Sequence, residues 1–241
     1  MQAVILSAGR GIRMKELTEH TPKPLLEVAG RSLLQYALDA LPDDVDEVII
    51  SVGYRGNMIR ERFGSQYHGK RLLYVEQHHL NGTAGALWLA KPFLKNSFLV
   101  MHADNIYARE DVVKAACIPW SVVGLAVDDL GQAAKLVLDM SKKVTNVLEM
   151  GDYDKSPGFL NTGLYCLDTR VFDYPMVPKS PGSEEFGLPQ TLVKADIPLH
   201  LVEATSWYEI TTPEDIKKVE EILAKNTIPD VHRISPFEAK K

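Results

Sequence analysis

The chain has 241 residues, 45% of them hydrophobic, and a formal net charge of −5. Length and composition suit one globular α/β unit, and the acidic balance argues against a surface that binds nucleic acid broadly. No apolar run reaches 18 residues and the start, MQAVILSAGR, lacks a basic leader region, so neither a transmembrane helix nor a secretory signal is expected.

In chain order, Ala3 to Leu6 is a short apolar strand stopped by Ser7-Ala8-Gly9. Leu33, Leu34, Ala37, Leu38 and Leu41 keep helical spacing behind Ser32, a suitable N-cap. Val48 to Val52 reads as a buried strand, Met58 to Phe63 as a short helix, Leu72 to Val75 as a strand, Ala84 to Ala90 as a helix and Phe98 to His102 as a strand. This alternation predicts a mostly parallel sheet with helices on both faces.

The second half is less regular. Val122 to Val127, Ala133 to Leu138 and Val144 to Leu148 read as strands with short, hence antiparallel, connections. Leu164 to Leu167 and Leu199 to Val202 are further strands, with a weak helix over Glu184 to Val193 between them. Pro213 to Ala224 is a helix with Thr212 as N-cap and Glu214 and Asp215 in its first turn. One domain over 1–225 and a tail over 226–241 is the expected division. Cys117 and Cys166 lie far apart, outside any CxxC pattern. They read as buried thiols of a reducing compartment, with a disulfide or metal site as the other reading. The cytoplasm is the expected location.

In such a sheet, ligands meet the carboxyl ends of strands, which brings three segments to one rim. The first is LSAGRGIRMKELTEHTPKPLLEV. From Arg10 to Lys23 it carries Arg10, Arg13, Lys15 and Lys23 against Glu16 and Glu19, a local balance of +2 in an acidic chain. Gly9 and Gly11 permit a backbone nest of N–H donors, and Arg13 adds a fork matched to phosphate oxygens. Lys23 is held between Pro22 and Pro24, which keep the segment extended. The pattern is neither a P-loop, since no GK[ST] follows, nor a dinucleotide fingerprint, since Met14 stands at the third glycine position. Spacing alone leaves two readings open, an anion-binding loop or a surface loop with incidental charge. The third segment, LVMHADNIY, ends a strand in Asp104, which suits a magnesium ligand or a capping carboxylate; His102 reads as a packed side chain.

The first stretch resembles the signature of sugar-1-phosphate nucleotidyltransferases, L-x-x-G-x-G-x-R-x-x-x-L-T-x-x-x-P-K-P-L. Gly9, Gly11, Arg13, Leu17, Thr18, Pro22, Lys23, Pro24 and Leu25 fall in register, and the resemblance extends over about residues 1 to 225. It implies a three-layer αβα sandwich with a mostly parallel, Rossmann-like nucleotide-binding sheet and a smaller antiparallel sugar-binding part. It also implies Mg²⁺-dependent transfer of a nucleoside monophosphate from an NTP to a sugar 1-phosphate, in a short form without a second domain. The family's habit of dimerising makes a homodimer an expectation by analogy.

Residue by residue, the resemblance assigns Arg13, Lys23 and Asp104 to catalysis. It assigns Leu6, Ala8, Gly9, Gly11, Gln77, Gly82 and Thr83 to the nucleotide, the last three from the second segment, EQHHLNGTAGAL. His78-His79 in that segment is a poor ligand pair, because neighbours in an extended chain point opposite ways. Asn105, Glu149, Asn161 and Gly163 fall to the sugar, and Asp104 with Glu209 to the metal. Two departures matter. Relatives commonly show E-K-P where this chain has Glu149-Met150-Gly151, so the lysine that meets the sugar phosphate is absent from its place, with Lys155 as a substitute from the loop. Glu209 and Thr211 replace an aspartate and a glycine. A cytidylyltransferase for a phosphorylated alcohol such as phosphocholine, and a weakly catalytic regulatory subunit that binds nucleotide, are the alternative functions.

Overall fold

The computed structural model describes residues 1–128, 134–149 and 157–225. Lys155, Met150, Gly151 and the tail lie outside the described residues. Ten strands form the main sheet: β1 (Gln2–Ser7), β2 (Glu47–Val52), β3 (Gln66–Tyr67), β4 (Lys70–Glu76), β5 (Ser97–His102), β6 (Ser121–Val127), β7 (Lys135–Leu138), β8 (Lys143–Leu148), β9 (Gly158–Asp168) and β10 (Leu199–Glu203). Six helices accompany them: α1 (Leu33–Ala40), α2 (Gly56–Phe63), α3 (Gly82–Ala90), α4 (Arg109–Ala116), α5 (Leu188–Leu192) and α6 (Pro213–Lys225).

The sheet order is β7-β8-β10-β6-β9-β5-β1-β2-β4-β3. β1 lies between β2 and β5, parallel to both, with Ala3 opposite Val48 on one side and Leu99 on the other. Its side chains alternate between two cores. Ala3 and Ile5 join Val48, Ile50, Leu99 and Met101 on one face, whereas Val4 and Leu6 join Ile49, Phe98 and Val100 on the other. A strand buried on both faces needs apolar residues at every position, which is why these runs are continuous rather than alternating.

β9 changes the sheet's character. It pairs antiparallel with β6 along both halves, with a register shift between Asn161 and Tyr165, whereas its first half also meets β7 and its second half β5. Gly163 sits in this bend at φ +75, where a Cβ would meet the His102 ring. The strand expected over Leu164 to Leu167 is thus the last third of a longer element at the junction of the parallel and antiparallel parts.

Local signals account for most boundaries. Ser32 and Gln35 form a full capping box at α1. At α6 the Asp215 carboxylate accepts the backbone N–H groups of Thr211 and Thr212, at 2.9 and 2.7 Å. The helix expected over Glu184 to Val193 shortens to α5. Phe186–Gly187 instead pairs with Val177–Pro178, and Pro189 opens the helix behind it. Helix α4 was not expected; it turns Val112 and Ala115 inward, and buried Asp111 accepts from the backbone of Thr205. Both cysteines are free thiols, Cys166 buried as expected but Cys117 exposed at the end of α4. Among the described residues no helix is long and apolar enough to cross a membrane.

A third cluster, formed by Met14, Leu26, Val28, Leu33, Ile106, Ile210 and Val219, fastens the β1 loop to α6. Met14 is fully buried there, worth about 2 kcal/mol of apolar burial. That contact explains why the third position of the glycine pattern is not glycine.

Candidate active site

The carboxyl ends of β1, β4 and β5 open into one cleft of about 1020 Å³. All of the candidate residues line it: Leu6, Ala8, Gly9, Gly11, Arg13 and Lys23 from the β1 side, Gln77, Gly82 and Thr83 from the start of α3, and Asp104, Asn105, Glu149, Asn161, Gly163 and Glu209 from the opposite wall.

After β1 the chain turns through Gly11 at φ +65, where a Cβ would lie 2.9 Å from Lys23 Cβ. The missing side chain lets the lysine stem pass beneath the loop. Gly11 O accepts from Met14 N at 2.9 Å and Thr18 Oγ1 at 3.0 Å, so the turn is tied internally. Lys23 is buried, and its ammonium reaches Asp104 Oδ2 at 2.6 Å. Arg10 and Arg13 stay exposed on the loop, and neither side chain makes an ion pair or hydrogen bond among the described residues.

Asp104 follows β5 at the turn into Asn105–Tyr107, which pairs antiparallel with Trp207–Glu209. Glu209 stands opposite Asn105, and Ile210 N donates to Asp104 O at 3.0 Å, so the two carboxylates share the tip of one ribbon. Burial raises the Asp104 carboxyl, but the Lys23 ammonium beside it outweighs that, and the group stays below the ordinary carboxylate value. His102 moves down because burial disfavours its charged form, with Asp104 and Glu209 opposing, so its imidazole is neutral at pH 7. Two carboxylates at the tip of a ribbon lining the cleft suit Mg²⁺, which is commonly held by one or two carboxylates plus substrate oxygens. The ammonium already drawn onto Asp104 shows that this carboxylate accepts a cation there.

Several side chains carry work that the sequence did not suggest. Gln77 Nε2 donates to Asn81 Oδ1 at 3.0 Å and Gly82 O at 3.2 Å, which uses both its hydrogens and leaves Oε1 for a ligand. Gly82 has φ +91, and its bare α-carbon packs on the Phe186 backbone, where a Cβ would lie 2.7 Å from Phe186 N. Its smallness therefore serves an approach between protein segments. Thr83 Oγ1 accepts from Leu188 N at 2.9 Å. Asn161 Oδ1 already accepts from Gly163 N and the Tyr165 hydroxyl, so this amide straps the β9 bend. Asn105 Nδ2 holds Thr162 O at 2.9 Å, whereas Glu149 Oε1 accepts from Gln190 Nε2 at 2.7 Å.

Lys179, Gln190, Trp207 and Thr211 also line the cleft, and none had been singled out as a contact. Among the described residues, four buried side-chain atoms of lining residues lack a partner: Asn105 Oδ1, Gln190 Oε1, Trp207 Nε1 and Thr211 Oγ1. Such atoms are costly to leave unpaired, and each marks a place in the cleft wall that a water or a ligand group would satisfy. His78 and His79 are exposed and do not line it.

A glycine-turned cationic loop, an amide-bearing segment and an acidic ribbon at the strand ends of an αβα sheet define a nucleotide-binding enzyme fold. Residues 2–226 match the nucleotidyl transferase family model, and the chain belongs to that family. It is 28% identical to the bifunctional protein GlmU of Methanococcus vannielii, over 96% of this chain and 57% of that protein. It is 26% identical to the UTP–glucose-1-phosphate uridylyltransferase AglF of Haloferax volcanii, over 94% of this chain and 98% of that one. The chain spans about half the length of the GlmU relatives it matches, between 41% and 57%. Its fold superposes on a Bacillus anthracis protein provisionally named a glucose-1-phosphate thymidylyltransferase, with TM-score 0.79, 24% identity and coverage of 94% and 96%.

Proposed function

We propose that the chain transfers the nucleoside monophosphate of an NTP to the phosphate of a polyhydroxylated acceptor, a sugar 1-phosphate, and releases pyrophosphate. The carrying observation is that one cleft of about 1020 Å³ joins the cationic loop, the Gln77 segment and the acidic ribbon. That volume lies at the upper end of the roughly 300–1,000 Å³ usual for a single small ligand, as two substrates side by side require.

In this reading the N–H groups around Gly9 and Gly11, with Arg13, hold the triphosphate. Gln77 Oε1 accepts an N–H from the base edge, and Leu6 and Ala8 floor that end of the cleft. An acceptor phosphate oxygen attacks the α-phosphorus, the bond to the β-phosphate oxygen breaks, and pyrophosphate leaves with the electron pair. Lys23 lowers the charge repulsion at that approach, and Arg13 stays with the departing pyrophosphate. Asp104 and Glu209 would hold Mg²⁺, which supplies charge neutralisation on the phosphates when bound. The protein's contribution is alignment and preset charge rather than covalent chemistry.

The four orphaned polar atoms support an acceptor with several hydroxyls over phosphocholine, whose trimethylammonium group offers no hydrogen-bond partner. AglF, related along its whole length, is named for a sugar-1-phosphate substrate. The test is pyrophosphate release with Mg²⁺ across UTP, dTTP, GTP, CTP and ATP against a panel of sugar 1-phosphates, inositol 1-phosphate and phosphocholine. Release with a polyol phosphate supports the reading; release with phosphocholine alone, or nucleotide binding without release across the panel, overturns it.

A further inference from the structure

We infer that Lys179 binds the phosphate of the acceptor substrate, taking over the role vacated where Met150 follows Glu149. The inference rests on the proposed transfer reaction and concerns which residue this chain uses for it.

Two phosphorylated substrates must be held in the cleft, and its cations divide unevenly between them. Among the described residues four cationic side chains line it: Arg10, Arg13, Lys23 and Lys179. Three sit on the β1 loop with the nucleotide determinants, and one of these, Lys23, is drawn onto Asp104. Lys179 is the one of the four that stands off this loop, beside the hairpin that leads to Gln190 and hence to Glu149. It is exposed, and its side chain has no partner among the described residues.

Its backbone is well fixed. Lys179 N donates to Glu185 O at 2.8 Å, closing the hairpin in which Val177–Pro178 pairs with Phe186–Gly187. That hairpin is bonded to the start of α3 through Phe186 N to Asn81 O at 2.8 Å and Leu188 N to Thr83 Oγ1 at 2.9 Å. A rigid base with an unpaired ammonium suits a group that meets a mobile anion as a point charge.

The test is steady-state kinetics, with the pair that the pyrophosphate screen identifies, on wild type, Lys179→Ala, Lys179→Arg and Lys155→Ala. Removing a charge-assisted contact should raise the acceptor KM about 10- to 100-fold. The NTP KM and the melting temperature should stay near wild type, and arginine should restore most of the loss. An unchanged acceptor KM in Lys179→Ala, equal rises for both substrates, or the loss appearing at Lys155→Ala instead would overturn the assignment. If the wild type turns over no pair at all, the transfer reading itself fails and takes the assignment with it. A working wild type with an indifferent Lys179→Ala sinks the assignment alone.

Discussion

Gly82→Ala tests the link between the base-binding segment and the acceptor hairpin. Gly82 sits at φ +91, a conformation that costs a residue with a Cβ about 1–2 kcal/mol. The added methyl would also stand 2.7 Å from Phe186 N, 3.0 Å from Phe186 C and closer still to the carbonyl oxygen. These are backbone atoms that cannot rotate away, so the hairpin must lift from α3. Lifting breaks the Phe186–Asn81 and Leu188–Thr83 hydrogen bonds, each worth about 1 kcal/mol. The expected loss is therefore about 3–4 kcal/mol, or about 10 °C in melting temperature for a chain of this size. Gly69→Ala is the control: φ is +81 there but nothing lies within 4 Å, so only the backbone strain should be felt. Thermal unfolding followed by circular dichroism measures both. Equal shifts in the two variants, or a Gly82→Ala protein melting within 2 °C of wild type, would refute the docking argument.

Asp104→Asn should cut turnover by at least about 100-fold while the protein stays folded. Its melting point should fall by only a few degrees, because a third of the Asp104 side chain reaches solvent beside Lys23; retained turnover at any Mg²⁺ concentration would contradict its role. Glu209→Gln should raise the Mg²⁺ concentration needed for half-maximal rate about tenfold, with the NTP KM at saturating metal little changed; an unaltered metal requirement would remove Glu209 from the site. His102 lies below its ordinary value of 6.5 in the folded chain, so between that depressed value and 6.5 the unfolded chain binds more protons. Stability therefore rises with pH through that window and falls on acidification below 6.5, and urea midpoints of His102→Gln should be flatter there than those of wild type. Asp104, also depressed, contributes stability above about pH 4 that is lost as pH falls through its folded value, a separate and more acidic window.

Legibility from sequence followed the range of the forces involved. The continuous apolar runs of β1, β2 and β5 announced strands buried on both faces, and Ser32 as N-cap ahead of a helical spacing announced α1, because both signals are written within a few residues. The β1 loop was legible for the same reason, and its glycines, Arg13 and Lys23 all line the cleft. Other features depend on contacts between distant segments. Helix α4 is held by Asp111 accepting from Thr205 N, 94 residues on, and its polar sequence shows no strong stripe. Gly82 and Thr83 were read as nucleotide contacts, yet their geometry answers Phe186 and Leu188 more than 100 residues away. Asn161 sits in a motif that suggests sugar binding, whereas its amide closes the β9 bend with Gly163 and Tyr165. Lys179 carries no motif, and its place in the cleft emerges once the Val177–Pro178 hairpin is seen against α3.

The most direct test of the transfer itself follows the α-phosphorus. With NTP labelled in the α-phosphate, the accepted sugar 1-phosphate and Mg²⁺, the label should appear in a nucleoside diphosphate-linked sugar. One unlabelled pyrophosphate should form per product, with no label left on the protein. Label recovered as free nucleoside monophosphate, or bound covalently to the chain, would contradict direct transfer between two ligands in one cleft.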